Sequence, residues 1–301
     1  MSGVVTVRPF SLDDLEPAAL FCDRARVEDP AIEPFAQRLA LLATGPRALL
    51  DLWRVAEEED GSLQGLAFVA LREARSAGGG ERTTLDIYAA VGPALRRQGL
   101  GRALCEPSLQ WAAQAHGPTA LRARVRDDVQ AGRAFLAALG FAEASAQLAL
   151  SWSARPIEAQ AMPALRLRWV TAGETQALHD LTRLAGEAWA GEPDAFATRS
   201  DEVAQLLSES GRLVLLADVD RRAVGYLSGV WLGRTLGIEE VAVVPAHRRS
   251  GIGRALVMAA LQEAAHAVLS VAESNRAARA LYRGVGFAQA ARRLVYELRC
   301  G

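Results

Sequence analysis

The sequence predicts a mixed α/β fold that is built twice, as two tandem domains in which a mostly antiparallel central sheet is flanked by helices. Three observations lead to this prediction. The chain has 301 residues, about twice the length of a common domain. Short blocks of the first half recur in the second half. Within each half, the apolar pattern alternates between a period typical of strands and one typical of helices.

The composition places the chain among folded globular proteins and excludes several partners. Apolar residues make up 50% of the sequence and charged residues 23%. The formal net charge is −1, so no global field attracts nucleic acid or an anionic membrane. Every basic residue is arginine, which excludes a P-loop lysine and a Schiff-base lysine. The sequence therefore predicts neither a nucleic-acid nor a membrane partner.

The cysteines and histidines indicate neither a disulfide framework nor a metal site. The three cysteines are far apart and odd in number, and the histidines lack the spacing of metal ligands. The N-terminal residues resemble a strand rather than a signal peptide, and no apolar run reaches the roughly 18 residues that a membrane span needs. These features predict a cytoplasmic protein without a bound metal.

The fold prediction depends mainly on an internal repeat of the sequence. Residues 7–14 match residues 167–174 at an offset of 160, and residues 65–69 match residues 225–229 at the same offset. Each copy therefore begins with a short strand that leads into a helical pattern. An unchanged offset over some 60 residues indicates two copies of one fold.

Two later blocks repeat at smaller offsets. Residues 91–104 match 243–256 at an offset of 152, and residues 134–141 match 280–287 at an offset of 146. The first change of offset coincides with a glycine-rich stretch around residues 76–80, which is typical of a loop. Insertions between two copies are expected in loops.

The repeat also predicts the domain boundaries. The N-terminal domain spans residues 1–152, a polar and proline-containing linker spans 153–164, and the C-terminal domain spans 165–301. In the second copy, residues 211–218 and 223–230 are predicted to form a hairpin, and a further strand is predicted to end at Pro245.

The segment 248–253 has the features of a phosphate-binding turn. It lies between the strand that ends at Pro245 and a helical pattern that begins at Ile252. Gly251 and Gly253 permit positive φ and close backbone approach. The first turn of a helix offers unpaired N–H groups and a partial positive charge. The sequence therefore predicts a pyrophosphate site here, with Arg248 and Arg249 to complete the neutralisation.

Two other interpretations of this turn stay open. Gly251 and Gly253 also begin a dinucleotide-binding fingerprint, and Glu273 lies where its ribose-binding acid is expected. Against this, Leu256 stands where the third glycine belongs, and six residues separate the strand from the first glycine. A glycine turn with only a structural role is the other alternative.

A family resemblance rests on this turn together with a second motif. The pattern R-x-x-G-x-G over residues 248–253 resembles the first signature of the GNAT superfamily of N-acetyltransferases. Its other signature resembles the pattern N-x-x-A-x-x-L-Y-x-x-x-G-F over residues 275–287. Both motifs occur in the family's order, and a weaker resemblance extends over nearly the whole chain. The resemblance implies acetyl-CoA as the cofactor.

The resemblance also implies which residues bind that cofactor. The pyrophosphate is expected on the amides of residues 250–254, with the pantetheine beside the strand at residues 241–243, whose N–H groups are expected to hold the thioester oxygen. The expected cofactor-binding residues of the second copy are Val241, Val243, Arg248, Arg249, Ser250, Gly251, Ile252, Gly253, Arg254 and Asn275.

By the same resemblance, Tyr282 is the general acid that protonates the departing thiolate. Asn275 suits the N-cap of its helix, and Gly286 suits the C-terminal end. Proton transfer from an ordinary phenol to an ordinary thiolate is uphill by roughly 2 kcal/mol, which is small for a catalytic step. The alternative is that Tyr282 only packs in an amphipathic helix.

Two adjacent glutamates are candidates for the general base. Glu239 and Glu240 lie on the strand before the turn, and strict alternation predicts that they point to opposite faces. In many family members the base lies two residues further upstream, at the position of Gly237. Because alternation places Glu239 on the face of Gly237, the sequence favours Glu239 and holds Glu240 second. Either residue could instead be a solvated edge acid.

The first copy keeps the turn and loses the catalytic groups. Arg96, Gly99 and Gly101 repeat the first signature, so they are expected to keep a pyrophosphate site. The second signature is not repeated, because Leu136 stands at the position of Tyr282. Leu85 and Ile87 replace Gly237 and Glu239. The sequence therefore predicts a catalytically silent N-terminal domain.

The predicted function is transfer of an acetyl group from acetyl-CoA to a primary amine of a small molecule or peptide, by direct attack in a ternary complex. The alternative is a sensor or scaffold that binds CoA or acyl-CoA without turnover. The tandem repeat predicts either a monomer with pseudo-dimeric domains or a homodimer.

Overall fold

A computed structural model describes most of the chain with side chains. The described residues are 4–28, 36–45, 48–75, 81–114, 119–154, 164–170, 174–188 and 211–299. Most of the predicted linker and the predicted insertion at 76–80 lie outside them.

The first half of the chain contains six strands and four helices among these residues. The strands are β1 (Val5–Pro9), β2 (Arg54–Glu58), β3 (Leu63–Arg75), β4 (Glu81–Val91), β5 (Thr119–Arg126) and β6 (Ala142–Ser153). The helices are α1 (Leu15–Glu28), α2 (Ala36–Thr44), α3 (Leu100–Gln114) and α4 (Gln130–Ala138).

The described part of the second half contains six more strands and three helices. The strands are β7 (Leu165–Trp169), β8 (Arg212–Val219), β9 (Arg222–Leu232), β10 (Thr235–Val243), β11 (His266–Ala272) and β12 (Ala288–Arg299). The helices are α5 (Thr175–Ala188), α6 (Ile252–Leu261) and α7 (Arg276–Val285). The predicted hairpin is β8–β9, which turns at Asp220 and Arg221, both with positive φ.

The chain folds into two compact units, and mixed α/β architecture with mostly antiparallel pairing is confirmed in both. The first unit comprises residues 1–74, 81–144 and 294–301, and the second comprises 75–80 and 145–293. These units differ from the predicted domains at two strands. The end of β6 belongs to the second unit, where it pairs with β11, and the end of β12 belongs to the first.

The first unit has the strand order β1-β2-β3-β4-β5-β12. The pair β4–β5 is parallel, and the register joins Thr83 with Thr119 and Asp86 with Arg122. Arg122 of β5 forms an ion pair with Glu297 of β12 at 2.7 Å, and both side chains are largely buried. The end of β12 is thus fixed in this unit by a charge-assisted contact.

The second unit has the strand order β6-β11-β10-β9-β8-β7 and carries a helix on each face. Arg168, Leu216 and Tyr226 are register partners and therefore share one face. Arg168 contacts Asp180 of α5, so α5 covers this face, which we call the α5 face. Gly225 opens on the other face, where a Cβ would lie 3.5 Å from Ile252 of α6. The two helices bury an apolar core between them and the sheet.

None of the helices in the described ranges is long and apolar enough to cross a membrane.

Candidate active site

The parallel strands β10 and β11 separate part-way along their length. They pair only from Thr235 with His266 to Ile238 with Leu269. Beyond this point β10 continues beside β9, and β11 continues beside β6. Within the described chain, residues 239–243 of β10 therefore have no pairing partner on the β11 side. The separation leaves a wedge in the sheet.

The backbone of Val241 and Val243 faces this wedge. The N–H of Val244 donates to the carbonyl of Val224 on β9 at 2.9 Å. In an antiparallel pair, successive residues point alternately toward the partner strand and away from it. Val241 and Val243 consequently direct their backbone groups away from β9. An extended chain in the wedge could pair with them as a further strand does.

The turn after β10 adopts the backbone that the glycines predict. Arg249 has a φ of 65° and Gly251 a φ of 92°. Gly251 is the N-cap of α6 and has no side-chain cap, so the first N–H groups of the helix remain available. Successive N–H groups in such a turn form a concave anion site. The turn has the features that a pyrophosphate group requires.

Side chains of the turn are used to hold its shape. Ser250 donates from its hydroxyl to the carbonyl of His247 at 2.6 Å. Arg248 donates from Nε to the carbonyl of Val243 at 3.0 Å and from a terminal nitrogen to the carbonyl of Ala188 at 2.6 Å. Arg248, which the sequence analysis assigned to phosphate neutralisation, thus ties the turn to β10 and to the end of α5. Arg249 is exposed.

Close packing joins α6 to α7. A Cβ added to Gly253 would lie 3.4 Å from Leu281, so the two helices are in close contact at this position. Arg254 donates from its guanidinium to the carbonyl of Gly284 at 2.9 Å. The helix that begins at the anion turn is therefore fixed against the helix that carries Tyr282.

The ends of α7 are those that the sequence predicts. Asn275 accepts the backbone N–H of Ala278 through its side-chain oxygen at 3.0 Å. Gly286 ends the helix with a φ of 101° and donates to the carbonyl of Tyr282 at 2.9 Å. Both caps satisfy backbone groups that a helix end leaves unpaired.

Replacement of the cap residue is expected to lower stability. The Asn275→Ala variant should lose about 1 kcal/mol of unfolding free energy, because the N–H of Ala278 loses its acceptor. Urea unfolding monitored by circular dichroism measures this loss. Asn275→Asp keeps an acceptor oxygen and should stay within about 0.5 kcal/mol of the wild type. Equal stability of all three proteins would show that the observed hydrogen bond contributes nothing.

Tyr282 lies inside the unit with a protonated phenol. Its exposed fraction is 7%, and burial raises the pKa of Tyr282 to about 12. The ring contacts Phe287 edge-on with 5.6 Å between the ring centroids. Among the described residues, the hydroxyl has no hydrogen-bond partner. A buried phenol with an uncommitted hydroxyl is suited to meet a ligand.

The two candidate glutamates lie on one face of the sheet, so the prediction that they point to opposite faces is wrong. The register of β10 against β9 shifts between Ile238 and Glu240. This β-bulge makes Glu239 an extra residue, and the pairing resumes with Glu240 opposite Ser228. Glu239 lies on the face of Gly237, whose register partner is Val230, and the bulge brings Glu240 to that face as well. The face therefore no longer distinguishes the two candidates.

The partners of the two carboxylates confirm their common face. Glu239 pairs with Arg212, whose side chain comes from β8. Glu240 accepts the hydroxyl of Tyr226 on β9 at 2.8 Å. Arg212 and Tyr226 both belong to the α5 face, because Arg212 is the register partner of Val230, four residues along β9 from Tyr226. Glu239 is thus held by a cation, whereas Glu240 is held by a neutral phenol.

Comparison with known proteins assigns this arrangement to a family. The profile of the acetyltransferase (GNAT) family matches residues 19–141 and, separately, residues 176–287. The chain belongs to the GNAT family. It is an acetyltransferase with two tandem GNAT domains.

Two related proteins share one name and one level of similarity to this chain. The mycothiol acetyltransferases of Clavibacter michiganensis subsp. michiganensis and of Clavibacter sepedonicus are each 32% identical to this chain over 289 residues. In both comparisons 89% of this chain is covered, with 86% and 87% of the relatives.

Solved structures show the same tandem GNAT fold. A GCN5-related N-acetyltransferase from Sphaerobacter thermophilus superposes with a TM-score of 0.74 at 19% identity, covering 98% of this chain and 95% of the other. A tandem GNAT protein from the clavulanic acid biosynthesis pathway gives the same TM-score and identity, with 99% of both chains covered.

The first GNAT copy repeats the geometry of the anion turn. Arg97 and Gly99 have φ values of 64° and 85°, and Arg96 donates from Nε to the carbonyl of Val91 at 3.1 Å. A Cβ on Gly101 would lie 3.3 Å from the ring of Phe135 of α4, as Gly253 packs on Leu281. The backbone cradle is therefore present in both units.

The first GNAT copy differs where the second holds polar side chains. The offsets of the repeat align Leu66 with Tyr226, Phe68 with Ser228, and Tyr88 with Glu240. Phe68 stacks on Tyr88 with 4.8 Å between ring centroids and also contacts Trp53 at 5.1 Å. Leu136, at the position of Tyr282, is buried. Aromatic and aliphatic side chains thus fill the positions of the candidate acid and base.

Proposed function

We propose that the second unit transfers an acetyl group from acetyl-CoA to a primary amine of a small molecule or peptide, by direct attack in a ternary complex. The observation that carries the proposal is the combination in one unit of an uncapped anion turn and a sheet wedge with a buried phenol and a paired carboxylate. Acetyl-CoA supplies an activated thioester when it is bound. The name of the Clavibacter relatives makes an acceptor related to mycothiol the first to test.

The chain's own groups fit the cofactor. The N–H groups of residues 250–254 offer donors for a diphosphate, and Arg249 lies exposed beside them. Val241 and Val243 offer backbone donors and acceptors in the wedge. A backbone N–H in this position is suited to stabilise negative charge on a thioester oxygen. We assign these residues to cofactor binding, with Arg248 as the residue that braces the turn.

The two proton transfers that the reaction requires assign roles to two side chains. Deprotonation of a lysine-like ammonium at pH 7 costs roughly 4.6 kcal/mol, and that of an α-amine near 1 kcal/mol. A general base is therefore needed most for strongly basic acceptors. We assign that role to Glu240, because Arg212 already neutralises Glu239. Tyr282 is assigned as the acid, because it carries its proton inside the unit that holds the turn.

The first unit supports a second candidate function, that of a CoA-binding module without turnover. Its turn keeps the positive φ at Arg97 and Gly99, while Leu136 and Tyr88 replace the proposed acid and base. Under this proposal the N-terminal domain is silent in catalysis, and one chain binds two molecules of CoA.

Glycine variants test both units in the full chain. Valine is strongly disfavoured at positive φ, so Gly251→Val and Gly99→Val should each distort one turn. Titration calorimetry with CoA should show two sites in the wild type and one in each variant. Thiol release from acetyl-CoA with a panel of amines should fall at least tenfold in Gly251→Val and remain within about twofold in Gly99→Val.

Three outcomes of this experiment would change the assignment of CoA binding or of catalysis to the units. One CoA site in the wild type that survives in Gly99→Val would remove the binding role of the first unit. Thiol release lost in Gly99→Val and kept in Gly251→Val would reverse the division of labour. Two CoA sites without thiol release for any amine would favour the binding module for the whole chain.

A further inference from the structure

We infer that Tyr226 is a positioning residue that orients the Glu240 carboxylate and keeps it ionised for proton abstraction from the acceptor amine. The inference rests on the proposed function and adds a residue to it. Tyr226 lies outside both GNAT motifs that led to the site. The contact that links it to the site is the hydrogen bond from its hydroxyl to Glu240 Oε2 at 2.8 Å.

Tyr226 is held rigidly enough to orient its partner. It lies on the central strand β9, with Leu216 of β8 and Ala242 of β10 as register partners on either side. Its exposed fraction is 3%, so the phenol has little freedom to leave the contact. Glu240 is half-buried beside the bulge, where the backbone re-aims its side chain.

The duplicated fold offers an internal comparison. In the first unit the position of Tyr226 is Leu66 and that of Glu240 is Tyr88, so the pair of a phenol and a carboxylate is absent there. Leu66 is buried to the same degree as Tyr226. A leucine therefore satisfies the packing of this position. The structural requirement of the fold alone does not explain a tyrosine hydroxyl in the second unit.

Several charged groups lie near Glu240 on the same face of the sheet. On the sheet these are Arg166, Arg168, Arg212, Asp218, Arg222 and Glu239, and on α5 they are His179, Asp180, Arg183 and Glu187. Among the described residues Arg212 pairs with Glu239, Arg168 with Asp180 and Asp218, and Glu187 with Arg183 and Arg222. Residues 189–210, which follow α5, lie outside the described ranges.

A hydrogen bond from a neutral donor favours the ionised form of a carboxylate without cancelling its charge. Arg212 instead forms an ion pair with Glu239, so the charge of that carboxylate is already compensated by a cation. Glu239 and Glu240 therefore differ in the charge of their partners. The phenol contact leaves Glu240 able to accept a proton. Because the hydroxyl holds Oε2, it also fixes the direction of the other carboxylate oxygen, Oε1.

The test removes one oxygen atom. In Tyr226→Phe, kcat/KM at pH 7 should fall about tenfold, and the acid limb of the kcat/KM profile should move about one unit to higher pH. The double variant Tyr226→Phe/Glu240→Gln should be no slower than Glu240→Gln alone, because Tyr226 acts through Glu240. Tyr88→Phe removes a phenol from the first unit and should leave the profile unchanged.

A second measurement needs no turnover. In protein with 13C-labelled glutamate carboxyl groups, the signal absent from Glu240→Gln identifies Glu240, and its midpoint of titration should lie about one pH unit higher in Tyr226→Phe than in the wild type. An unchanged midpoint would overturn the inference, whether or not an acceptor is found. An inactive wild type with the shifted midpoint would instead count against the proposed function and leave the Tyr226 contact established.

Discussion

The Tyr282→Phe variant is expected to lower kcat for acetyl transfer by about two to three orders of magnitude, the usual contribution of a positioned general acid. The variant keeps the ring that contacts Phe287 and loses only the hydroxyl. Binding of CoA should be unchanged, because the anion turn and the wedge are untouched. Thiol release measured by absorbance gives kcat, and calorimetry with CoA gives the binding constant.

Burial changes the energetics of this proton transfer. An ordinary phenol is about 1.5 pKa units weaker as an acid than a thiol, but the pKa of Tyr282 is raised to about 12. Transfer to an ordinary thiolate is then uphill by roughly 5 kcal/mol rather than 2. A turnover of about 10 per second corresponds to a barrier of about 16 kcal/mol. The proton transfer from Tyr282 therefore lies well below that barrier.

The same shift determines the pH dependence. A raised pKa means that the phenol keeps its proton until the pH approaches 12, so no alkaline loss of kcat from Tyr282 should occur below about pH 10. The raised pKa also determines how the free energy of unfolding changes with pH, through proton linkage. In the unfolded chain the phenol ionises near pH 10, and stability falls as the pH rises from there toward 12.

Tyr296→Phe provides the matched control. Tyr296 is another buried phenol, located in the first unit, where it interacts with Arg133. Loss of its hydroxyl should leave kcat within about twofold. A Tyr282→Phe protein with undiminished kcat would remove the acid role from this residue and return it to ordinary packing.

Local signals were sufficient to predict the elements that carry the site. The glycine pair at 251 and 253 predicted the turn, and Asn275 and Gly286 predicted both ends of α7. These features depend on φ angles and on neighbours within one helical turn, which a single sequence displays. The mixed α/β fold followed from the internal repeat and from the apolar periodicity within each copy, which a single sequence also displays.

Features that depend on partners far along the chain could not be predicted. Arg248 donates to Ala188, 60 residues away, in a contact that no motif encodes. The bulge at Glu239 arises from the register between β9 and β10, and one extra residue reverses the alternation that follows it. The assignment of the ends of β6 and β12 to the units was missed because both strands occupy the same position in the repeat.

The strand assignment also governs how variants should be made. The first unit includes residues 294–299 from the far end of the chain, and the second includes the end of β6. A cut at the predicted linker would therefore remove one strand from each unit. Substitutions in the full chain avoid this loss, which is why every comparison between the units uses point variants.

The pair Glu239→Gln and Glu240→Gln separates the two candidate bases. Glu240→Gln is expected to lower kcat/KM about 100-fold or more for a strongly basic amine, because the amide cannot accept the proton. Glu239→Gln should cost less than threefold, since the carboxylate is already neutralised by Arg212. Initial rates with one lysine-like amine and one α-amine acceptor, at a fixed pH near 7, provide the measurement.

Comparison of the two acceptors separates a role of Glu240 in deprotonation from a role in acceptor binding. Deprotonation of the α-amine near pH 7 costs only about 1 kcal/mol, whereas that of the lysine-like amine costs roughly 4.6 kcal/mol. The loss in Glu240→Gln should therefore be larger for the lysine-like amine. The same loss with both acceptors would indicate that Glu240 binds the acceptor rather than deprotonating it. A large loss in Glu239→Gln instead would show that the Arg212 pair opens during catalysis, and the base would then be the residue that alternation favoured.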